Sequence, residues 1–547
     1  MKRPLWIAWR WWRRAVQLGV LVLFVWLFRR AESTGADNLP GGENLFFRLD
    51  PLVGAAAMIA GRCIIWLFWP AVIVLVLTLV LGRFFCGWVC PLGTLLDWFG
   101  GLVRPVAKLT NRLVGRGAAP VLRRARLTRY VLLAAALGAA VFAFPLVGFV
   151  DPFALLVRGL TFWGDPAYYK SVDEAFTWSA GRWGTGSLQK YFQRHLLPFR
   201  ANAFDLARAS AIILAVIFAL ELVARRFWCR YLCPLGAGFG LLGRFSLLRR
   251  SPVKVCKDCT RCADGCRMGA IDAAAGFFPE SCGVCMGCVD ACPRSVAKFG
   301  LRRPRSAPTR VDLSRRGLLV TAVTGLALPA FAKGARAVGG TRTDPYLLRP
   351  PGAGDERTFL DLCIRCGLCM KVCPTNVLQP AILQAGVEGM FSPRLAPRFV
   401  FEQSYCEYNC NLCGQVCPTG AIPRLSIEQK KDAAIGKAYF DHSRCLPWAE
   451  RTPCIRCEEV CPLPEKAIKI QNTFTVTDEK EKQEITIQQP YVDRTLCIGC
   501  GICECNCTIE GPAGIRVLRP DAPDPGTEFL SGQRVKDASS QPTTDRK

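Results

Sequence analysis

Histidine is almost absent from this chain of 547 residues: His195 and His442 are the two, they stand far apart, and no C-x-x-C-H occurs. That leaves no place for a bis-histidine haem or an attached c-type haem. Acidic residues are scarce in the first part. From Met1 to Arg349 there are 47 Lys and Arg against 18 Asp and Glu, a net of +29, whereas the remainder has 23 against 25. So basic a segment raises nucleic acid as a partner, but its Arg and Lys gather beside long apolar runs, as in the cytoplasmic loops of membrane proteins, so no nucleic acid is expected. Long apolar runs are themselves missing from the cysteine-rich part that follows Arg250. The 30 cysteines are not scattered as disulfide pairs; they form tight groups spaced by two or three residues, which suits metal ligation. Thiolate-held clusters must be assembled where thiols stay reduced, so assembly is expected in the cytoplasm.

Apolar stretches run from Ala15 to Phe28, Ile64 to Leu81, Tyr130 to Val150 and Leu206 to Val223. Three are near the length that crosses a bilayer, and four spans are expected. The first is short, but Arg13, Arg14, Arg29 and Arg30 can snorkel, and Trp9, Trp11, Trp12 and Trp26 suit an interface. Lys2, Arg3 and Arg10, with the eight basic and no acidic residues from Arg104 to Arg129, put the N-terminus and that loop inside. The loops at 31–50 and 151–205 then face outward.

An internal repeat agrees with this topology. Asp50-Pro51 precedes a span ending in R-F-F-C-G-W-V-C-P-L-G (83–93), and Asp151-Pro152 precedes one ending in R-F-W-C-R-Y-L-C-P-L-G (226–236). Both C-x3-C-P elements fall at the inner ends of their spans. Cys86, Cys90, Cys229 and Cys233 are open to three readings: a further cluster or metal, a redox dithiol pair, or a support for the ferredoxin module nearby. Asp50 and Asp151 are candidate proton acceptors for a quinol, although an Asp before a Pro is first of all a helix N-cap. Glu221 is a further ionisable group within a span. Cys63 reads as a small buried hydrophobe. Gly238, Gly240 and Gly243 satisfy G-x-G-x-x-G, but no strand precedes them, so close helix packing is expected there and not a nicotinamide site.

Six quartets carry the redox chemistry. Cys256, Cys259, Cys262 and Cys266, then Cys282, Cys285, Cys288 and Cys292, follow C-x2-C-x2-C-x3-C, the bacterial two-cluster ferredoxin pattern in which the fourth cysteine serves the neighbouring cluster. One cluster therefore takes Cys256, Cys259, Cys262 and Cys292; the other takes Cys282, Cys285, Cys288 and Cys266. Two complete quartets argue against zinc. Further on stand Cys363, Cys366, Cys369 and Cys373; Cys406, Cys410, Cys413 and Cys417; Cys445, Cys454, Cys457 and Cys461; and Cys497, Cys500, Cys503 and Cys507, with Cys505 left over. Pairing among these four is not readable from spacing. Between the two sets, S-R-R-G-L-L-V at 314–320 leads an apolar stretch ending at Ala332, a twin-arginine-like signal or a fifth, anchoring span.

The expected fold is a multi-domain chain: an α-helical membrane domain of four spans (1–250), a cytoplasmic two-cluster ferredoxin module (251–300), a linker with the signal-anchor segment (301–340), an α+β ferredoxin-like domain with four 4Fe-4S clusters (341–520) and a disordered tail (521–547).

These motifs together resemble the NapH- and NapG-type quinol dehydrogenase ferredoxins joined in one chain, and are similar to the methylamine utilisation ferredoxins MauN and MauM. Thr508 after Cys507 and Arg267 after Cys266 replace the usual prolines. The resemblance implies a bacterial inner-membrane protein with six 4Fe-4S clusters that oxidises a quinol from the quinone pool. Its electrons would leave to a periplasmic reductase or cytochrome. The alternative is a NosR-like or CcoG-like role, supplying electrons for maturing or reactivating a metalloenzyme.

Overall fold

A computed structural model describes residues 9–33, 38–103, 105–106, 126–183, 202–251, 259–272, 276–293, 296–301, 323, 344–397, 404–477 and 484–522. Cys256, His195, the Arg315-Arg316 segment, the tail and most of the basic loop from Arg104 lie outside these residues.

The first part is helical. Its longer helices are α1 (Trp9–Arg30), α2 (Pro51–Gly61), α3 (Trp69–Leu81), α4 (Pro91–Leu102), α5 (Thr128–Val141), α6 (Pro152–Gly159), α7 (Asp165–Trp183), α8 (Ala207–Ala219) and α9 (Pro234–Gly243). Four of them start in the same way, with a capping side chain followed by proline at the first helical position: Asp50-Pro51, Cys90-Pro91, Asp151-Pro152 and Cys233-Pro234. The internal repeat is thus a repeat of helix starts. Among the described residues, α1 is the one helix long and apolar enough to cross a membrane; α2, residues 66–81, α5 and α9 are apolar but shorter.

Polarity in this unit is inverted. Arg83, Arg129, Arg158, Asp50 and Asp151 are buried, while Val22, Trp66, Trp69, Val72, Val76 and Ile212 are each more than half exposed. Soluble monomers do not present so much apolar surface to water. Cys63 departs from its expected burial and is exposed: α2 ends at Gly61, and Arg62, at φ 49°, turns the chain away from the core.

Two cysteine-rich units pack against opposite ends of this helical unit, and they are called inner (259–301) and outer (344–522) after the expected topology alone. The inner one is closed by an antiparallel pair, β1 (Leu248–Arg250) with β2 (Phe299–Leu301). The outer one contains β3 (Leu378–Pro380) paired with β4 (Pro393–Leu395), β5 (Lys437–Phe440) with β8 (Ile515–Leu518), and the hairpin β6 (Ile468–Thr477) with β7 (Glu484–Val492). Helix α1 marks the separation. The backbone N–H groups of Trp9 and Arg10 donate to Asp290 of the inner unit, whereas Lys371 of the outer unit pairs with Glu32, just beyond the other end, and with Asp165. At 1.5 Å rise per residue, the 22 residues of α1 span about 33 Å.

Both interfaces are backbone-close. A Cβ on Gly87 would stand 2.1 Å from the Gly283 carbonyl oxygen, and one on Gly148 would stand 2.1 Å from that of Ile364. Asn44 Nδ2 donates to the Val416 carbonyl (3.1 Å), Arg365 Nη1 to that of Pro145 (2.8 Å), and Arg394 pairs with Asp205 (2.9 Å). Replacing Gly148 by Val is therefore expected to loosen the outer unit without unfolding the helical unit. Hydrogen exchange should show faster exchange in residues 356–372 and unchanged exchange in α4 and α9; equal protection everywhere would disprove this tight contact.

Candidate metal centres

Thiols meet in fours, and the fours cut across the quartets of the sequence. Cys363, Cys366 and Cys369 line one cavity together with Cys417, and Cys406, Cys410 and Cys413 line a second together with Cys373. A third is lined by Cys497, Cys500, Cys503 and Cys461. Cys445 and Cys457 face Cys454 and Cys507. Each loop supplies three thiols and gives its fourth to a neighbour, the exchange characteristic of two-cluster ferredoxins. The inner unit does the same: Cys282 and Cys288 face Cys285 and Cys266, while Cys262 faces Cys259 and Cys292. Cys507, and not Cys505, is the thiol beside Cys445 and Cys457.

The donor sets fit 4Fe-4S clusters. All described cysteines are free, and among the described residues no three His, Cys, Asp or Glu side chains are close enough to share one ion. A single zinc draws its sulfurs to about 2.3 Å; a cube holds one thiolate at each iron and keeps them further apart. Burial pushes the Cys369, Cys413 and Cys503 thiols well above the ordinary value, neighbouring thiols adding to the effect, and pushes Cys500 up to about 11. Thiolates at such positions depend on bound metal for their charge. Backbone N–H groups then point at sulfur: Ala270 to Cys266 (3.2 Å), Ile422 to Cys417 (3.5 Å), Ala438 to Cys497 (3.4 Å) and Gly514 to Cys507 (3.4 Å). Such bonds raise cluster reduction potentials.

The two C-x3-C-P elements converge. Cys90 and Cys233 face Cys86 and Cys229, and all four are buried. Each element closes on an i→i−5 backbone bond, Cys90 N to Phe85 O and Cys233 N to Trp228 O, both 2.9 Å. Each second cysteine caps the helix that follows, accepting from Gly93 N (3.4 Å) or Gly236 N (3.2 Å), where the helix dipole favours a thiolate. The arginine three residues before each pair adds positive charge. Arg226 crosses to the first element and donates to the Cys86 and Gly93 carbonyls (2.7 and 3.0 Å), while Arg83 approaches Cys86 Sγ (3.8 Å) and donates to the Glu280 carbonyl (3.0 Å).

Asp50 and Asp151 are N-caps, as their prolines suggested. Each accepts two backbone N–H bonds, from Leu52 and Val53 and from Phe153 and Ala154, and the two buried carboxyls interact with each other. Glu221 accepts from the Arg226 and Phe227 N–H groups and so shapes the turn before Cys229. Of the glycine triplet, Gly240 lies against the Glu280 carbonyl, where a Cβ would approach to 2.7 Å, so close packing explains it. Sequence reasoning missed Asp97, which is buried and pairs with Arg226 (2.7 Å) and Arg267 (3.0 Å). The repeat held the only signal: Asp97 stands seven residues after Cys90, where the second copy has Gly240.

Known proteins agree with this geometry. A family profile described as "4Fe-4S binding domain" matches residues 64–110 and 207–252, one C-x3-C-P element in each, and a "4Fe-4S dicluster domain" profile matches 362–421. The methylamine utilization ferredoxin-type protein MauM of Methylorubrum extorquens is 35% identical over 224 residues, 40% of this chain and 92% of MauM. The ferredoxin-type protein NapG of Escherichia coli is 35% identical over 201 residues, 36% of this chain and 78% of NapG. NapH of Haemophilus influenzae is 27% identical over 318 residues, 53% of this chain and 89% of NapH. No solved structure matches the chain. Exchanged thiol quartets in tandem define a polyferredoxin, an iron-sulfur protein of electron transfer. Within that class, the chain belongs to the MauM/NapG family of ferredoxin-type proteins, and it is similar to NapH.

Ligand exchange has a specific consequence. Cys417→Ser is expected to damage the centre of the Cys363 loop and spare that of its own loop, so its paramagnetic spectrum should match that of Cys366→Ser and differ from that of Cys410→Ser. Removal of iron with a chelator under reducing conditions should unfold residues 344–522 while the helical unit keeps its helix signal in circular dichroism, because binding energy at such centres is folding energy. Retention of protease resistance by the apo outer unit would contradict this.

Proposed function

We propose that the protein lies in the bacterial inner membrane, oxidises quinol from the quinone pool, and passes the electrons outward through its iron-sulfur centres to a periplasmic reductase or cytochrome. The observation that carries this reading is the order of thiol groups along the molecule. The inner pair touches the C-x3-C-P site through Gly283 and Gly87. Beyond that site, Phe85 packs on Phe153 (5.9 Å), and Gly148 meets Ile364 between the first two thiols of the outer unit. The outer groups continue away from the helices, the Cys406 N–H donating to the Cys500 carbonyl (2.8 Å) where one exchanged pair joins the next. The group of Cys445, Cys454, Cys457 and Cys507 is the far end. Its exposed segment from Ala449 to Pro453 is where a partner would dock.

A 4Fe-4S cluster, when bound, takes up and returns one electron at a time. The six exchanged sets, with Cys256 completing the inner one, would hold six clusters, and Cys86, Cys90, Cys229 and Cys233 a seventh centre. Tunnelling rates fall steeply with distance, and a relay in the helical unit divides the roughly 33 Å between inner and outer units. The length of α1 and the exposed apolar faces support a membrane location. Four spans, with 314–332 as a twin-arginine signal and anchor, would set the inner unit in the cytoplasm and the outer one in the periplasm.

Two measurements test the reading. A reporter active only outside the membrane, fused to the C-terminus, should work in the native chain and fail with Arg315→Lys and Arg316→Lys together. Purified anaerobic protein should lose visible cluster absorbance on adding a menaquinol analogue; oxidised clusters after prolonged incubation would sink the quinol dehydrogenase reading.

A further inference from the structure

Two buried carboxyls face each other between the C-x3-C-P thiols and the outer unit. Asp50 and Asp151 cap α2 and α6, and both are 0% exposed. Each commits one oxygen to its cap: Asp50 Oδ1 accepts from the Leu52 and Val53 N–H groups (2.8 and 3.1 Å), and Asp151 Oδ2 accepts from those of Phe153 and Ala154 (2.9 and 2.8 Å). The other two oxygens, Asp50 Oδ2 and Asp151 Oδ1, are buried with no donor on them, yet the two carboxyls stand within hydrogen-bonding reach of each other. Bare carboxylate oxygens are both acceptors and bond only when a proton lies between them. Two negative charges so close together and out of water repel strongly. A metal ion fits poorly, since among the described residues no third acidic, Cys or His side chain joins the pair.

From this we infer that Asp50 and Asp151 form one proton-binding site, in which a single proton joins Asp50 Oδ2 to Asp151 Oδ1 and leaves the pair with one negative charge. That charge has a counterpart. Arg158, in α6 and 2% exposed, donates to the Gly148 and Arg365 carbonyls (3.1 and 3.4 Å), and its electrostatic neighbours include Asp151 and Cys366. With one shared proton the pair and the guanidinium are neutral together; with none or with two, a buried charge stays uncompensated, which is costly. Of the charges on elements packed against α2 and α6, Asp97 is bound to Arg226 (2.7 Å) and Glu356 to Arg349 (2.6 Å). The location gives the proton a role. Phe153, two residues after Asp151, packs on Phe85 beside Cys86 (5.9 Å), and Gly148, three residues before it, meets Ile364 between Cys363 and Cys366. An electron moving from the C-x3-C-P thiols to the Cys363 group passes the pair, and a second negative charge there would oppose its arrival. This role rests on the electron path proposed above, whatever the reductant; the shared proton does not.

The test is infrared spectroscopy of the anaerobic full-length holoprotein, native and with Asp50→Asn or Asp151→Asn, because asparagine caps a helix as well as aspartate does. A protonated-carboxyl C=O band present in the native protein and lost in full in either single variant is the expected result, since the remaining carboxyl then ionises against Arg158. Absence of that band from the native-minus-variant difference would overturn the site, as would a partial loss in each variant, which would mean two separate acids. A band that vanishes when sodium replaces potassium would also overturn it and make the pair a cation site. Both single variants should keep native iron content and the native reduction potential of the Cys363 group. The double variant, with Arg158 uncompensated, should lose iron or raise that potential; native values for both would overturn the charge-balancing role. Reduction by a menaquinol analogue, followed in the same samples, separates the two readings: reduction without the band removes the proton site alone, and the band without reduction removes the quinol reading alone.

Discussion

Asp97 is the charge on which the inner half of the molecule converges. One buried carboxylate meets guanidinium groups from three directions: Arg226 from the second repeat, Arg267 from the inner cysteine-rich unit and, at 3.9 Å, Arg13 from α1. Charges removed from water are tolerated only when paired and hydrogen-bonded, and removing one partner is far costlier than the pair is stabilising. The arrangement therefore joins three segments of the chain at one carboxylate. It fixes α1 against α4, draws the second repeat across the first, and seats the inner thiols beside both.

Its excess of positive charge also has a use. The four C-x3-C-P thiols are buried in a low-dielectric helical unit, where any charge they carry must be balanced. Arg83 and Arg226 bring positive charge to the C-x3-C-P thiols, and the N-termini of α4 and α9 add their dipoles. The outer unit surrounds its thiols with N–H to sulfur bonds and with positive side chains, Arg365 beside Cys363 and Lys430 beside Cys406.

The outer unit is held to the helices by a second electrostatic knot. Lys371 pairs with Asp165 and Glu32, and Arg158 donates to the Gly148 and Arg365 carbonyls (3.1 and 3.4 Å). Both knots tie a cysteine loop to the helices, through Asp97 within α4 and through Asp165 at the start of α7, so the thiol groups are located by helices and not by linkers. That matters for electron transfer, where rate follows distance, and the close glycine contacts at Gly87 and Gly148 bring backbone to backbone beside these side-chain ties.

Much of this was legible in the chain. The candidate ligands followed from spacing, because a loop of C-x2-C-x2-C can wrap one corner of a cube in few ways. The caps at Asp50 and Asp151 followed from the prolines after them, and the repeat announced that two halves would pack together. Exchange within the inner pair was the expectation from spacing, since only two quartets were present, and Cys266 beside Cys282 and Cys288 is consistent with it. Tertiary structure alone decided the rest. With four quartets in the outer unit, spacing could not say that Cys417 serves the Cys363 loop or Cys461 the Cys497 loop, because ligand exchange is set by which loops pack side by side. Cys63 was misread because a left-handed residue after α2, invisible in composition, carries it out of the core. Asp97 and Gln17 looked like ordinary polar residues; their burial against Arg226 and Gly87 depends on contacts 70 or more residues away, and no local pattern encodes contacts at that range.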